Sequence, residues 1–372
     1  MSGQTRFPTA LVILVALFLA GCGGAKAPGT PGGAVGQSAP AQLTKITLVQ
    51  AHSDITLGEE IPMYAVPKAL GFFKEEGIEV NLQGSSGGSA AIQLLISGSA
   101  QFATGAAEVI MQTRDKGGKV KAVYDIKRRS GWAIALLPDS PVKTLADLKG
   151  RTIGVQSLAS GGIPIIRQSL AEVGLKEGDY TLLAVGTGAQ AAAALTSKKV
   201  DSLGLWEAVY ATIENQGVKM RYLDLPILDK VAGLSMATTD DYIKEHSKVV
   251  IGLGRAIAKG FEFTQANPVA AVKVFYQVFP DKRPPGISED QAIKGGANIL
   301  AAWMANATKG HGPSTPWLYN SPEQWAFSQE QILASGTLKT KRAPNEYITN
   351  EFMKEINNFD AVKIQELARN YK

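Results

Sequence analysis

Apolar and polar positions alternate along residues 46–216 in a way that predicts strands and helices in turn. Short apolar runs bounded by turn residues predict strands at 46–50, 78–82, 101–104, 120–125, 152–156, 180–184 and 201–205. Apolar positions at helical spacing predict helices at 63–75, 89–97, 107–116, 161–173, 189–195 and 207–216. Because short turns separate the strands from the helices, we expect parallel strands and an α/β fold. The pattern restarts after Pro141, which indicates two α/β units.

Two further apolar segments flank the second unit, at 132–137 and 233–238, and we interpret them as strands that cross between two lobes. From residue 240 onward the pattern is helical, with helices expected at 249–265, 268–278, 288–304, 322–335 and 349–367. We expect these helices to pack on the first lobe and to brace the back of the hinge. The predicted first lobe comprises 46–136 and 234–372, and the predicted second lobe comprises 137–233.

The N-terminal segment has the pattern of an export signal. One positive charge, Arg6, precedes an apolar run from Ala10 to Ala20, which is shorter than the roughly 20 residues that a membrane span needs. The run leads into Leu-Ala-Gly-Cys at 19–22, which resembles a bacterial lipobox. We therefore expect a signal peptide at 1–21, a lipid on Cys22 and a flexible tether at 22–45 that is rich in Gly and Pro. This pattern predicts an extracytoplasmic protein anchored to a membrane by its lipid.

Composition removes several functional classes. The chain carries 38 basic and 33 acidic residues, and its basic residues do not cluster apart from 127–129, so nucleic acid is not an expected partner. Cys22 is the only cysteine, which excludes an internal disulfide or a cysteine metal site. The three histidines, His52, His246 and His311, lie in no catalytic or metal-binding motif, and the sequence pairs no carboxylates. We expect no catalytic residue, no metal and no cofactor.

Polar and glycine-rich turns follow the strands of the first unit. His52, Ser53 and Asp54 come directly after the first strand, and ligands of parallel sheets bind beyond the carboxyl ends of the strands. A solvated turn capped by Asp54 is the alternative. The turn at 84–89 follows a strand and opens a helix, so its amide groups suit an anionic or hydrogen-bond-accepting ligand. Its candidate ligand-binding residues are Ser85, Ser86, Gly87, Gly88 and Ser89; a plain capped helix start is the alternative.

The second unit repeats this arrangement. Its candidate ligand-binding residues in turns are Ser157, Ser160, Gly161, Gly186, Thr187 and Gly188. Strand ends of two lobes that face each other across a cleft would hold a small ligand by closure, without chemistry. Three aromatic residues, Tyr64, Trp132 and Trp206, could stack on a ring, and Glu207 beside Trp206 could hold a cationic group. A purely structural role for each aromatic residue is the alternative.

Four stretches of the chain, in the same order, resemble one protein family. They are residues 69–80, 93–102, 144–155 and 195–210. The resemblance is to substrate-binding proteins of ABC importers in the nitrate, sulfonate, taurine and thiamine-pyrimidine-precursor group. The segment 310–317 has no counterpart that the resemblance can place, and Ala208 stands where many relatives carry proline.

The resemblance implies a periplasmic-binding-protein fold of type II, with two α/β lobes joined by two hinge strands and a helical C-terminal extension. It implies a cleft lined by the turns named above and by Gly105, Ala106 and Glu108. The implied partners are a small organic or oxyanionic solute and an ABC permease with its ATPase, and we expect a monomer. Two alternatives stay open: an enzyme of the pyrimidine-synthase type on the same fold, and a sensory or partner-binding module without transport.

Overall fold

The structure is a computed structural model, and it describes residues 42–372 except Ala159, Gly161 and Pro313. The predicted signal peptide, Cys22 and the tether up to residue 41 lie outside the described residues. The first strand begins at Thr44, so the last positions assigned to the tether already belong to a sheet. No helix within residues 42–372 is long and apolar enough to cross a membrane.

The strands and helices follow the alternation that the sequence predicts. The strands are β1 Thr44–Val49, β2 Ile78–Gln83, β3 Phe102–Ala106, β4 Val120–Lys127, β5 Trp132–Leu136, β6 Thr152–Val155, β7 Thr181–Ala184, β8 Ser202–Trp206, β9 Arg221–Leu223 and β10 Leu234–Thr239. The helices are α1 Val66–Ala69, α2 Phe72–Glu75, α3 Gly88–Ile96, α4 Ala107–Asp115, α5 Gly162–Glu172, α6 Gly188–Thr196, α7 Glu207–Asn215, α8 Asp240–Glu245, α9 Ser247–Ala266, α10 Pro268–Val278, α11 Glu289–Ala307, α12 Pro322–Ala334, α13 Met353–Ile356 and α14 Ala361–Arg369. A π-helical turn spans Ile61–Ala65, and short 3-10 helices span Leu145–Leu148, Pro226–Asp229, Pro280–Lys282 and Pro344–Glu346.

The strands form two five-stranded sheets of mixed direction. The first sheet has the order β2-β1-β3-β10-β4, and the second has the order β7-β6-β8-β5-β9. In each sheet the three strands that alternate with helices pair in parallel, as the sequence predicts. The remaining strands pair antiparallel: β10 with β3 and β4, and β5 with β8 and β9.

The two segments expected to cross between lobes do not cross. β5 is hydrogen-bonded on both edges within the second sheet, and β10 is hydrogen-bonded on both edges within the first. Their apolar patterns therefore reflect burial inside one sheet each. The chain passes from the first sheet to the second at 128–131 and returns at 224–233. The first change of sheet therefore follows Lys127, whereas the predicted first lobe continued to residue 136. The residue boundaries given above for the two lobes stay a prediction.

Two predicted helices are interrupted. The helix expected at 63–75 is instead a π-helical turn followed by α1 and α2, which are separated at Gly71, where the backbone is left-handed with φ of 79°. The helix expected at 349–367 is instead α13 and α14. Asp360 begins α14 by accepting a hydrogen bond from the Lys363 N–H at 3.0 Å, and a cap of this kind marks a helix start.

Both faces of each sheet are buried, which is why the strands carry long apolar runs. On the first sheet, Phe102 and Met236 belong to a core shared with α9 and α10, whereas Ala103 and Ala237 belong to a core shared with α3, α4 and α12. The second sheet divides in the same way between a core with α5 and a core with α6 and α7. Neighbouring strand positions alternate between the two cores because strand side chains have a period of two.

The C-terminal helices contact elements of both sheets. α9, α10, α13 and α14 pack on the first sheet's side, as expected. α11 also packs against α7, where the Asn215 amide donates to the Gly295 carbonyl at 3.0 Å. α12 reaches α5, where Gln168 Nε2 donates to Gln331 Oε1 at 2.8 Å. In addition to the expected packing on the side of the first sheet, α11 and α12 therefore contact helices of the second sheet.

The segment after α11, which the sequence could not place, packs beside β4. His311 stacks on Trp317 with 3.6 Å between ring centroids, and Trp317 Nε1 donates to Glu262 Oε2 at 2.8 Å. The Asp125 N–H of β4 donates to the Leu318 carbonyl at 2.9 Å. The segment therefore continues the edge of the first sheet that β4 would otherwise leave open.

Asp125 is a buried carboxylate on that edge. Its Oδ1 has no hydrogen-bond partner among the described residues. Burial raises the pKa of Asp125 to about 7, although the Arg128 guanidinium acts in the opposite direction. The folded state therefore holds a proton on Asp125 at pH values where the unfolded chain, with an ordinary pKa of about 3.9, does not.

We expect Asp125→Asn to become more stable relative to the native chain as the pH rises from about 4 to 8. The quantity compared is the gap in free energy of unfolding, variant minus native chain, which should increase over this range. The native chain loses the contribution of this proton over that range, by up to about 1.4 kcal/mol for each unit of pKa difference, whereas asparagine does not titrate. Urea unfolding at several pH values measures the gap. Asp139→Asn removes the same charge at an exposed position and is the control. A gap independent of pH would contradict the prediction.

We also expect Gly260→Ala to lower stability by about 1–3 kcal/mol, the usual cost of overpacking. A Cβ at Gly260 of α9 would lie 2.0 Å from the Pro62 carbonyl oxygen, which outweighs the gain of about 1 kcal/mol in helix propensity. Gly295→Ala in α11 is the matched control, because its Cβ would meet only the Asn215 side chain, at 3.3 Å. Urea unfolding midpoints of both variants are the measurement. Equal stabilisation of both variants would show that α9 does not pack closely against the Pro62 carbonyl.

Candidate functional site

The polar turns of the first sheet meet at the carboxyl ends of β1, β2 and β3. Ser85 Oγ donates to the Gln50 carbonyl at 2.7 Å, and the Ser85 N–H donates to the His52 carbonyl at 3.1 Å. A Cβ on Gly88 would lie 3.6 Å from the Gly105 Cα, so the start of α3 also abuts the end of β3. These contacts are consistent with the prediction that the turns line one edge of the sheet. Several of the predicted residues are exposed at the same edge: Ser53, Asp54, Ser86, Ser89, Ala106 and Glu108.

The second sheet presents an equivalent edge. The Gly186 N–H donates to the Gln156 carbonyl at 3.2 Å, which joins the turns after β6 and β7. Gly186 and Gly188 have φ of 71° and 57°, and this left-handed backbone favours glycine. Ser157 and Thr187 are exposed, whereas Ser160 is buried and its carbonyl accepts from the Ile163 N–H at 3.1 Å. Gly161 lies outside the described residues.

Two tryptophans stand together on the second sheet. Trp132 begins β5 and Trp206 ends β8, and the two residues are directly opposite in the antiparallel register. Their ring centroids are 5.3 Å apart with an interplanar angle of 61°, a favourable edge-to-face arrangement. Gly162 makes room for this pair, because a Cβ there would lie 2.3 Å from the Trp132 ring. The pair is half-buried, so part of it stays accessible.

Tyr64 is not part of this site. It is 5% exposed and belongs to the core shared by α9 and α10. Its ring stacks on Phe279 at 5.9 Å between centroids, and its hydroxyl accepts from Lys68 Nζ at 2.8 Å. The ligand-binding role predicted for Tyr64 is therefore wrong: the ring serves core packing, and the hydroxyl is already satisfied.

A buried ion pair joins the two sheets beside these turns. Lys127, the last residue of β4, donates from Nζ to Glu207 Oε1 at the start of α7. Glu207 is 7% exposed, and its other oxygen, Oε2, has no hydrogen-bond partner among the described residues. Gly131 permits this placement, because a Cβ there would overlap the Glu207 carboxylate. The sequence singled out Glu207 but gave no sign of its partner.

A second ionisable cluster lies directly after β1. His52 Nε2 is 2.7 Å from Glu59 Oε1 and 3.8 Å from Glu60 Oε1. Glu60 is fully buried, and its Oε2 accepts from the Thr56 hydroxyl at 2.9 Å. The expectation that no two carboxylates lie together is therefore wrong at this position, because Glu59 and Glu60 both face His52. The available signal was the Glu59-Glu60 dipeptide ahead of the predicted helix, a few residues after His52.

Burial and charge shift the protonation of this cluster. The hydrogen bond to Glu59 raises the pKa of His52 to about 9, and burial raises the pKa of Glu60 to about 8. Burial acts to raise the pKa of Glu59, but the hydrogen bond and charge of His52, together with smaller contributions from its own backbone and Lys127, lower it overall. Lys127 also acts on Glu59 through its charge, which places the cluster near the ion pair between the sheets.

Arg129 fixes the two segments that pass between the sheets. It lies on the first of them, is 5% exposed, and donates to Asp229 Oδ1 at 2.8 Å and to the Leu225 carbonyl at 3.2 Å on the second. It also pairs with Asp224 and donates to Asn306 Oδ1 of α11 at 3.3 Å. These contacts join the two connecting segments to each other and to α11.

Among the described residues, no contact links Glu108 to Glu207. It is exposed at the start of α4, and its Oε1 accepts from Gln112 Nε2 at 2.9 Å, one helical turn further on. Its local partner explains its position as an ordinary helical pair. Its predicted ligand-binding role stays a prediction.

Among the relatives found by sequence are two whose names state a ligand. The riboflavin-binding protein RibY of Chloroflexus aurantiacus is 27% identical over 349 residues, which cover 92% of this chain and 96% of that protein. The formylaminopyrimidine-binding protein of Halalkalibacterium halodurans is 24% identical over 263 residues, which cover 68% of this chain and 75% of that protein. Both are named as binding proteins.

The fold has a counterpart among solved structures. The periplasmic aliphatic sulphonate-binding protein SsuA of Escherichia coli superposes with a TM-score of 0.61 at 16% identity, over 82% of this chain and 92% of that chain. The fold expected from the resemblance, a two-lobed α/β periplasmic-binding-protein fold, is confirmed. The profile of the family described as "NMT1/THI5 like" matches residues 59–271, more than half of the chain. The chain therefore belongs to the NMT1/THI5-like family.

Proposed function

We propose that this protein captures a small organic solute between the strand-end edges of its two sheets and delivers it to an ABC permease. The observation that carries the proposal is the Lys127–Glu207 ion pair, which joins the end of a strand of one sheet to the end of a strand of the other. A solute beside this pair would contact both sheets at once. Such a position favours binding by closure, as in two-lobed binding proteins. The two relatives named as binding proteins support the same role.

The groups at the site favour an organic solute with a flat part and N–H donors. The half-buried Trp132–Trp206 pair offers an aromatic surface. Glu207 Oε2 is a buried acceptor without a partner among the described residues, and a donor on the solute would remove the cost of leaving it unpaired. A bare oxyanion is disfavoured, because the basic groups beside the site are already paired within the protein, Lys127 with Glu207 and His52 with Glu59. The riboflavin and formylaminopyrimidine in the relatives' names belong to the favoured class.

The remaining parts of the proposal concern the cellular setting. The export pattern at 1–21 and the lipobox at Cys22 support an extracytoplasmic protein held to a membrane by a lipid on that cysteine. In this setting the protein would act as a monomer, bind without catalysis and meet its permease and ATPase at the membrane. No described cluster favours a pyrimidine-synthase activity or a purely sensory role over this one.

A thermal-shift screen of the full-length chain carrying Cys22→Ser tests the proposal. We expect riboflavin, formylaminopyrimidine or another N–H-bearing ring compound to raise the melting midpoint, since a ligand at 100 times its Kd adds about 2.7 kcal/mol of stability. Nitrate, taurine and alkanesulfonates should have no effect. A shift with those anions alone would overturn the proposed solute class. A shift with no member of the panel, in a folded protein, would count against solute capture.

Trp206→Ala should weaken binding of the compound found in that screen by about 1–3 kcal/mol, because it removes one face of the aromatic pair. Calorimetric titration measures the loss. Tyr222→Ala is the matched control, since Tyr222 is an exposed aromatic residue on β9, at the edge of the same sheet. Equal affinities of the native chain and Trp206→Ala, with Trp206→Ala less stable, would assign Trp206 a structural role only.

A further inference from the structure

We infer that His52, Glu59 and Glu60 form a binding site for a divalent metal ion of the zinc class. The three side chains offer one imidazole nitrogen and two carboxylate groups, and their ligand atoms lie within 4.8 Å of one another. The inference concerns the protein without solute and does not depend on the proposed transport function. It departs from the expectation from the sequence that the chain holds no metal.

The imidazole is oriented for coordination through Nε2. His52 Nδ1 is 2.7 Å from the Asp54 carbonyl oxygen, which can only accept, so Nδ1 carries a proton. In a neutral ring Nε2 then bears the lone pair, and a hydrogen bond from Nδ1 to a carbonyl is the usual way in which metal-binding histidines are fixed. Nε2 faces Glu59 Oε1 at 2.7 Å. Two acceptors cannot face each other at this distance unless a cation, either a proton or a metal ion, lies between them.

The distances between the candidate ligand atoms lie on either side of the value expected around a tetrahedral ion. Bond lengths of roughly 2.0–2.2 Å to nitrogen and oxygen give ligand atoms about 3.3 Å apart. The two observed separations from His52 Nε2, 2.7 Å to Glu59 and 3.8 Å to Glu60, lie on either side of that value. Adjustments of about half an ångström in side-chain position would therefore complete the geometry.

Contacts outside the cluster also fix the position of Glu60. Glu60 accepts from the Thr56 N–H at 3.2 Å as well as from its hydroxyl, so its orientation is fixed by the turn before the π-helical segment. Glu59 is 8% exposed and Glu60 is fully buried, so a metal ion would relieve the cost of burying two adjacent carboxylates. The His52 side chain is 33% exposed and provides the path by which an ion enters.

A fully buried side chain, Gln50, packs on the Nδ1 side of the ring. Gln50 Nε2 lies 3.4 Å from His52 Nδ1 and donates to the Asp54 carbonyl at 2.9 Å. Gln50 Oε1 is buried without a hydrogen-bond partner among the described residues. A buried amide oxygen of this kind is costly unless a cation, a water bound to it or another donor satisfies it.

The donor set selects the metal. Imidazole favours Zn²⁺ and its first-row neighbours, whereas Mg²⁺ and Ca²⁺ prefer sites made of oxygen alone. Three protein ligands leave a fourth position of a tetrahedral ion for water or for an atom of a bound molecule. The site is therefore of the open kind.

Calorimetric titration of the metal-stripped, full-length Cys22→Ser chain with Zn²⁺, in the absence of solute, tests the inference. We expect one saturable site that Mg²⁺ does not fill. Glu59→Gln and Glu60→Gln should each weaken Zn²⁺ binding by more than the roughly 10–100-fold that loss of an outer-shell partner costs. Glu245→Gln and His246→Ala are the matched controls, because they alter an exposed carboxylate and an exposed imidazole at neighbouring positions.

A second measurement needs no variant and so does not depend on variants that fold. X-ray absorption of the Zn²⁺-loaded protein should show nitrogen and oxygen ligands, including one imidazole. Absence of a saturable site, binding that survives the Glu59→Gln/Glu60→Gln double substitution, or a coordination sphere without imidazole would each overturn the inference. The solute screen is a separate measurement, so failure of one proposal leaves the other intact.

Discussion

The arrangement of the two sheets at the candidate site depends on the buried ion pair between Lys127 and Glu207. Both side chains are largely withdrawn from water, and each belongs to a different sheet. Removal of one partner from a buried pair typically costs about 3–5 kcal/mol, because the other charge is left uncompensated. The pair therefore favours one relative position of the strand ends, and Gly131 is the position whose missing side chain makes room for it.

The contacts around this pair explain the run of basic residues at 127–129. Residues 127–129 are three consecutive basic residues. Each of the three residues has a partner within the protein: Lys127 contacts Glu207, Arg128 reaches the Pro316 carbonyl at 3.4 Å, and Arg129 binds Asp224 and Asp229. The cluster therefore stabilises the passage between the sheets.

The two sheets bring different chemistry to the space between them. The first contributes ionisable groups at the end of β1, and the second contributes the Trp132–Trp206 pair and Glu207. A ligand that needs both an aromatic contact and a polar contact gains its full binding energy only when both sheets reach it. Division of the contacts in this way is what couples binding to closure in two-lobed proteins.

The sequence by itself determined the order of strands and helices and the turns that follow them, because periodicity and turn residues are local properties of the chain. It therefore predicted the turns at 52–54, 84–89 and 186–188 and the aromatic residues of the second sheet. Only the tertiary structure decided that Tyr64 is a core residue, that β5 and β10 lie inside single sheets, and that Glu59 and Glu60 face His52. It also joined Lys127 to Glu207, which are 80 residues apart. Contacts between distant residues follow from strand pairing and packing, and no local pattern encodes them.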